Sequence, residues 1–161
     1  MEELIFNVKL DEGAIMPTKA HDADAGFDLY AREDCDIHWY YSPSKEFGAD
    51  GYARFFGGRE GSAKFDTGVH IEIPEGYVGF IKSKSGLNVR RGITADGVID
   101  SGYTGSIVVK LYNHSEKTYS VKRGDKIAQI VFLPIPSITL KQVDELGETD
   151  RGDNGFGSSG R

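Results

Sequence analysis

The stretch that decides the fold is Gly97-Val98-Ile99-Asp100-Ser101-Gly102-Tyr103-Thr104-Gly105, followed at once by Ser106-Ile107-Val108-Val109-Lys110-Leu111-Tyr112-Asn113. Its second half alternates as a β-strand does, with Ile107, Val109 and Leu111 on one face. Its first half sets a carboxylate and an aromatic ring three residues apart among glycines, which let backbone approach a ligand closely. Asp100 and Tyr103 therefore either decorate a tight hairpin or recognise a flat, hydroxylated molecule such as a nucleoside.

The composition indicates one globular domain with its own core. The chain has 161 residues, of which 39% are hydrophobic and 27% charged. Its net charge of -6 argues against direct binding of nucleic acid, which needs a basic surface. No apolar run approaches the roughly 20 residues that cross a membrane, and the start of the chain is acidic. We therefore expect a cytoplasmic protein, and the single cysteine, Cys35, fits a reducing compartment.

Apolar periodicity predicts many short strands and one short helix. The helix runs from Ser85, as its N-cap, to a stop at Gly92. The 74–76 segment is a turn that joins two strands of a hairpin, and the 122–125 segment joins two later strands. This pattern predicts an all-β sandwich or barrel-like fold. The predicted strands are 4–10, 25–31, 69–73, 77–81, 106–113, 118–121, 127–133 and 138–143.

Three polar features have both a structural and a functional interpretation. Asp28 interrupts an apolar strand, where aspartate is unfavourable, and is either exposed or functional. Gln129 lies in an apolar strand, so its amide must bond to backbone or to a ligand. The helix start at Ser85 is either a capped surface helix or a phosphate site, since its amides are unpaired and lysines surround it.

Two segments differ in composition from the rest. Residues 38–63 are rich in aromatic rings and glycine, and we interpret them as an elaborated loop or extra hairpin. Their rings either pack onto the domain or form an exposed contact patch. The glycine-rich tail after Asp150 is either a floppy terminus or a lid that closes on an anion.

Five stretches resemble, in order, the motifs of the homotrimeric dUTPases, the dUTP nucleotidohydrolases. The resemblance covers nearly the whole chain apart from the aromatic insert at 38–63. It implies a jelly-roll-like all-β domain at 1–146 and a flexible C-terminal lid at 147–161. The five stretches are Ala25-Gly26-Phe27-Asp28-Leu29, Ser83-Lys84-Ser85-Gly86-Leu87, Gly97-Val98-Ile99-Asp100-Ser101-Gly102-Tyr103-Thr104-Gly105, Gly124-Asp125-Lys126-Ile127-Ala128-Gln129, and Arg151-Gly152-Asp153-Asn154-Gly155-Phe156-Gly157-Ser158-Ser159-Gly160.

The same resemblance implies a function: hydrolysis of dUTP to dUMP and pyrophosphate with Mg²⁺, in a homotrimer whose active sites are shared between chains. Asp100 would be the catalytic base, since an aspartate is ionised at neutral pH and can deprotonate the attacking water. Asp28 would hold Mg²⁺ through a bound water. The implied substrate-binding residues are Lys84, Ser85, Gly86, Gly97, Ile99, Tyr103, Gln129, Arg151, Phe156, Gly157, Ser158 and Ser159.

Two departures from the family pattern stand out. Lys84 occupies a position where arginine is common, which keeps the charge but loses the planar fork. The insert at 38–63 lies outside the pattern and offers a surface for a protein partner, so a nucleotide-dependent regulator is a rival function. A dCTP deaminase is a further rival, but it needs a glutamate where this chain has Thr94-Ala95-Asp96.

Overall fold

Alternating apolar residues form short strands along most of the chain, and the computed structural model describes residues 4–39, 46–47, 53–54, 61–150 and 152. Within these residues the secondary structure is thirteen strands and one helix, which confirms the all-β prediction. The strands are β1 (Asn7–Leu10), β2 (Gly26–Tyr30), β3 (Cys35–Ile37), β4 (Glu46–Phe47), β5 (Ala53–Arg54), β6 (Ser62–Asp66), β7 (Val69–Glu72), β8 (Tyr77–Ser83), β9 (Ile93–Thr94), β10 (Asp96–Ile99), β11 (Val108–Asn113), β12 (Tyr119–Val121) and β13 (Lys126–Pro134); the helix is α1 (Ser85–Arg91).

The hydrophobic core joins two main sheets. One has the strand order β10-β8-β13-β2 and the other has the order β6-β11-β9, while β1–β7, β12–β3 and β4–β5 form two-stranded ladders. Leu29 and Ile130 from the first sheet and Val109 and Leu111 from the second are 0% exposed and belong to one buried cluster. Burying each such side chain stabilises the fold by about 1.5–3 kcal/mol. Packing between the sheets therefore fixes the architecture.

The stretch from Gly97 to Asn113 crosses between these two sheets. β10 pairs with β8, whereas β11 pairs with β6 and β9, so the tight-hairpin interpretation is wrong. The predicted alternation of β11 is confirmed, because Val109 and Leu111 are buried and Val108 is 48% exposed. Burying this apolar face in the second sheet draws the strand away from β10.

The segments at 69–73 and 77–81 are strands, as predicted, but they do not pair with each other. β7 pairs with β1, and β8 lies between β10 and β13. The turn is present, since the Tyr77 amide donates to the Pro74 carbonyl at 3.2 Å and Gly76 has φ +84°. The hairpin prediction fails because a turn fixes a change of direction and leaves the choice of partner strand to packing.

Helix α1 starts one position earlier than predicted. Its N-cap is Lys84, with extended backbone and no side-chain cap, so the assignment of Ser85 as N-cap is wrong. The hydroxyl of Ser83 bonds both backbone groups of Ala95, which ties down the end of β8 and lets the helix begin immediately after Lys84. The predicted stop is confirmed, because Gly92 caps the C-terminus in the left-handed conformation at φ 66°.

The predicted last strand at 138–143 does not form. Ile138, Leu140 and Val143 are 72%, 94% and 51% exposed, and the segment pairs with no strand of the described chain. An apolar pattern leads to a strand only where an open sheet edge and an apolar surface lie within reach. Here the apolar side chains stay exposed, so the described residues supply no such surface to this segment.

Most of the insert at 38–63 lies outside the described residues. The part described there includes an antiparallel pairing of β4 with β5, in which Glu46 opposes Arg54, together with the start of β6. Whether the insert's rings pack or form a patch therefore stays a prediction. Among the described residues, no helix combines the length and the apolar character needed to cross a bilayer.

Candidate active site

Asp28 is a buried carboxylate held by two lysines. It lies on β2 opposite Gln129 of β13, and only 3% of it is exposed, so an exposed strand aspartate is excluded. Its Oδ1 accepts a bond from Lys84 Nζ, and its Oδ2 lies 2.7 Å from Lys126 Nζ. Burial alone would raise the pKa of the Asp28 carboxyl, but the bonds from Lys126 and Lys84 outweigh it and lower the pKa. The carboxylate is therefore ionised and paired.

Lys84 lines a polar cleft of about 300 Å³ together with Asp28, Gln129 and Gly26, and Lys126 contacts the same carboxylate. The Lys84 and Lys126 side chains are 28% and 45% exposed, against 4% for the Asp28 side chain. Two partly exposed cations paired with one buried anion keep a net positive charge that can accept a polyanion. We call Asp28, Lys84 and Lys126 the lysine cluster.

Gln129 turns its amide toward the same cleft. Its Nε2 donates to the Ser83 carbonyl at 3.2 Å. Of the two partners that the sequence suggested for this amide, backbone or ligand, the structure thus shows backbone. Its Oε1 lies against Gly26, where a Cβ would come within 2.5 Å of that oxygen. A side chain at position 26 would therefore displace the Gln129 amide.

Ser85 and Gly86 form the first turn of α1, next to the lysine cluster through Lys84. Both residues are exposed. The first amides of a helix have no intrahelical acceptor, and here the first helical bond comes from the amide of Asn88 to the Lys84 carbonyl. The turn therefore offers backbone donors beside two lysines, which suits an anion.

Asp100 and Tyr103 occupy the two ends of one turn. The Tyr103 amide donates to the Asp100 carbonyl at 3.3 Å, and Gly102 supplies the required φ of +82°. The Tyr103 hydroxyl donates to the Ser106 carbonyl at 2.9 Å, and the ring covers Gly105, where a Cβ would lie 2.5 Å from that hydroxyl. Asp100 is exposed, and Tyr103 is 46% exposed, so both can meet a ligand.

Gly97 and Ile99 lie on β10 just before this turn. Gly97 opposes Ile81 and Ile99 opposes Gly79 on β8. A backbone this close to the Asp100 carboxylate offers amide and carbonyl groups at the end of the strand. We call residues 97–106 the carboxylate loop.

The lysine cluster and the carboxylate loop lie far apart within one chain. Asp28 on β2 pairs with Gln129 on β13, and Gln129 pairs with Lys82 on β8. Lys82 lies three residues from Gly79, which pairs with Ile99 on β10. Residues in a strand are about 3.4 Å apart and neighbouring strands about 4.8 Å apart. Ile99 therefore lies about 10 Å from Asp28 along the strand direction and about 14 Å from it across the sheet. The separation is therefore roughly 18 Å, and Asp100 continues beyond it.

The structure places the predicted residues in two groups and leaves a third undescribed. Asp28, Lys84 and Gln129 meet at the cleft, with Ser85 and Gly86 beside it, whereas Gly97, Ile99, Asp100 and Tyr103 form the other group. The remaining predicted residues, Arg151, Phe156, Gly157, Ser158 and Ser159, lie outside the described residues.

Sequence reasoning missed Lys126 as a site residue. Strict alternation puts Lys126 and Gln129 on opposite faces of a strand. In the structure, however, Lys126 contacts Asp28, and Gln129 lines the cleft that Asp28 also lines. The pairing of β13 with β2 shifts register between Lys126 and Ala128, which turns the lysine toward Asp28. The usable signal was its position inside the quoted stretch Gly124–Gln129.

Comparison with known proteins identifies the family. Residues 58–160 match the family model described as dUTPase. A deoxyuridine 5'-triphosphate nucleotidohydrolase from Clostridium tetani is 39% identical over 165 residues, which cover 100% of this chain and 100% of that protein. The chain therefore belongs to the dUTPase family.

Solved structures agree with this assignment. The dUTPase of Staphylococcus bacteriophage 80alpha with dUPNHPP has a TM-score of 0.80 and 29% identity, covering 98% of this chain and 99% of that one. A mutant dUTPase of phage phi11 of S. aureus, described with a structural Mg(II) ion, has a TM-score of 0.72 and 27% identity, covering 90% and 100%. The architecture is thus the jelly-roll-like dUTPase fold.

Proposed function

We propose that this protein hydrolyses dUTP to dUMP and pyrophosphate. The observation that carries the proposal is the two-part site. It combines a polar cleft lined by Lys84 and Asp28, with Lys126 paired to the same carboxylate, and an exposed carboxylate on a glycine-rich loop. Family membership and the nucleotide analogue bound by the phage 80alpha enzyme support the choice of substrate. The reaction would limit uracil in DNA and supply dUMP for thymidylate synthesis.

Asp100 acts as the general base in this proposal. It accepts a proton from a water whose oxygen attacks the α-phosphorus, and the bond from that phosphorus to the bridging oxygen breaks as pyrophosphate leaves. Tyr103 packs under the deoxyribose and leaves no room for a 2′-hydroxyl. The backbone near Gly97 and Ile99 bonds to the edge of uracil.

The lysine cluster binds the phosphates. In the free chain Asp28 pairs with both Lys84 and Lys126, so the three side chains keep a net positive charge. An incoming triphosphate therefore competes with the carboxylate for the two ammonium groups. Ser85 and Gly86 donate from the start of α1, and Gln129 donates from the cleft. A lysine is a compact point charge, so these contacts depend less on angle than those of an arginine fork.

The residues present fit Mg²⁺ carried by the substrate. The described residues contain no group of three His, Cys, Asp or Glu side chains that could hold a metal ion. Mg²⁺ keeps several waters and binds phosphates readily, so Asp28 would hold it through one of those waters. When bound, the ion would neutralise charge on the phosphates as pyrophosphate leaves.

We also propose a homotrimer with active sites shared between chains. A general base works within about 3 Å of the proton that it takes. Asp100 and the lysine cluster are roughly 18 Å or more apart in one chain, far beyond the reach of a triphosphate, by the spacing of the strands. The site is therefore completed by the carboxylate loop of a neighbouring chain.

The tail closes the site in the same proposal. Arg151, Ser158 and Ser159 would clamp the γ-phosphate with the backbone of Gly157, while Phe156 stacks on the base. This assignment rests on the resemblance of 151–160 to the last family motif, which the family model also matches.

One assay tests the proposed reaction directly. Phosphate products are measured from dUTP, dCTP, dTTP and UTP, with Asp100→Asn as the matched control. We expect pyrophosphate from dUTP alone and a loss of most turnover, with binding retained, in the variant. Equal release from all four nucleotides, or turnover by Asp100→Asn within a few-fold of wild type, contradicts the proposal.

A second function, nucleotide-dependent binding of a protein partner, is favoured by one comparison. The insert at 38–63 lies outside the common family pattern and would be the contact surface for the partner. Phage dUTPases are described as controlling transfer of virulence genes by a G protein-like mechanism. Capture experiments with and without a dUTP analogue test it, using a chain that lacks the insert as control. Capture that ignores both the analogue and the insert contradicts it.

A further inference from the structure

A histidine outside the five family-like stretches contacts the carboxylate loop. His70 lies on β7, and its side chain is 18% exposed. Its Nδ1 donates to the Thr104 carbonyl at 2.8 Å. Thr104 follows Tyr103 directly, so this bond ties the middle of the loop to a strand of the domain.

The other ring nitrogen faces a carboxylate. His70 Nε2 is buried and lies 3.2 Å from Asp11 Oδ2, an ion-pair distance whose geometry falls short of a hydrogen bond. A carbonyl on one side and a carboxylate on the other are both acceptors, so the ring suits both only when each nitrogen carries a proton. The bond to the Thr104 carbonyl and then Asp11 raise the pKa of His70, while burial and Lys9 oppose them.

The charged groups around the His70 ring make a second contact with the same loop, through Asp66. Arg32 lies 3.6 Å from Asp11 and 3.3 Å from Asp66. Asp66 in turn accepts a bond from the hydroxyl of Ser106, at the end of the loop. The charged groups that act on His70 are therefore Lys9 and Asp11 from the β1 side and Asp66 from β6, and Arg32, just after β2, pairs with both carboxylates.

Of the side-chain hydrogen bonds described between this loop and the strands around it, the bond from His70 to Thr104 lies nearest to Asp100 in the sequence. The base of the loop is fixed by buried backbone, since the Ile107 carbonyl accepts from the Thr67 hydroxyl at 2.7 Å and the Ile107 amide donates to Val69. Between Ile107 and Asp100, the bond from His70 of β7 to Thr104 fixes the position of the turn that carries Asp100 and Tyr103. A displacement of about 1 Å at such a position can cost up to about a hundredfold in rate.

We propose that His70, with Asp11 beside its ring, is a positioning residue that clamps the Thr104 carbonyl and so sets the placement of Asp100 and Tyr103. The effect on catalysis rests on the proposed function, in which Asp100 is the base. The clamp itself is independent of it. Because the pKa of His70 is raised, the clamp is fully present at low pH and weakens as pH rises through that pKa.

Four variants, one of them a matched control, test the clamp. His70→Ala removes the donor, whereas His70→Asn places an uncharged amide donor near the position of Nδ1. His114→Asn is the matched control, because His114 bonds the Thr94 hydroxyl at 2.8 Å, on strand β9. Hydrogen exchange over residues 100–106 reports the loop without reference to activity, and kcat and KM for dUTP report its consequence.

His70→Ala should speed exchange over 100–106 and lower kcat about tenfold, with a smaller change in KM. His70→Asn should restore both readouts to within about threefold and abolish the loss of kcat at high pH, since its donor does not titrate. Asp11→Asn, which keeps His70, should move that loss to lower pH. His114→Asn should match wild type.

Two results overturn the proposal. One is unchanged exchange over 100–106 in His70→Ala, and the other is His70→Asn as impaired in kcat as His70→Ala. Faster exchange in His70→Ala, in a protein whose wild type fails to hydrolyse dUTP, supports the clamp and contradicts the proposed function instead.

Discussion

Replacing Gly26 by alanine should displace Gln129 from the cleft. Gly26 is buried in β2, and a Cβ there would lie 2.5 Å from Gln129 Oε1, 3.0 Å from its Cδ and 3.2 Å from its Cβ. The contacts with the amide end can be relieved by rotating a flexible side chain. The contact with the Gln129 Cβ remains, so β2 and β13 must move slightly apart.

The size of the effect follows from these contacts. Overpacking a core costs about 1–3 kcal/mol, and because part of the clash is with a flexible end we expect about 1.5 kcal/mol. For a chain of this length that lowers Tm by about 3–6 °C. Rotation of Gln129 also breaks its bond to the Ser83 carbonyl and should weaken binding of a non-hydrolysable dUTP analogue about tenfold.

Thermal unfolding at one fixed protein concentration, together with titration of the analogue, measures both effects. Gly97→Ala is the stability control, because a Cβ there meets Ile81 at 3.5 Å, an ordinary contact. It should leave Tm unchanged or slightly higher. Adding Gln129→Ala to Gly26→Ala should restore the part of the stability that the amide contacts cost, while the part due to the Cβ contact should persist. A Gly26→Ala protein with wild-type Tm and wild-type affinity would refute the packing argument.

Three further predictions concern the cluster and the tail. Lys126→Met should raise KM for dUTP about tenfold while Lys126→Arg stays near wild type, and equal KM values in steady-state assays would exclude Lys126 from the site. The stability advantage of wild type over Asp28→Asn should shrink as pH falls below about 4, because the lowered pKa of Asp28 stabilises the fold only while it is ionised; a pH-independent difference in urea unfolding would contradict this. Phe156→Trp, made with Trp39→Phe, should change its emission when a dUTP analogue and Mg²⁺ are added, and constant emission at saturation argues against stacking on the base.

The sequence was sufficient to place most strands and the helix. Period-2 alternation marked β7 and β11, an almost continuous apolar run marked β13, and Gly92 marked the end of α1. Strand pairing was not predictable, because a local turn such as that at 74–76 says nothing about which strands later share a core. The apolar residues at 138–143 show the same limit, since burial depends on a surface that the local sequence does not contain.

The candidate site was predicted in its residue types more than in its geometry. Asp28, Lys84 and Gln129 were expected together, and the structure brings them to one cleft. Lys126 was missed because the register shift in β13 breaks the regular alternation of side chains on which the prediction depended. His70 was missed because alternation marks it as the polar member of β7, while the loop that passes over that face is set by tertiary structure.

The most direct test of the central claim asks whether one active site uses two chains. Asp100→Asn and the double variant Lys84→Ala/Gln129→Ala should each be inactive alone. When equal amounts are unfolded together and refolded as mixed trimers, roughly a quarter of the shared sites should contain both an intact Asp100 and an intact cluster. Activity near a quarter of wild type is the predicted result. Mixed assemblies that are confirmed by mass and remain as inactive as their parents would contradict the shared site.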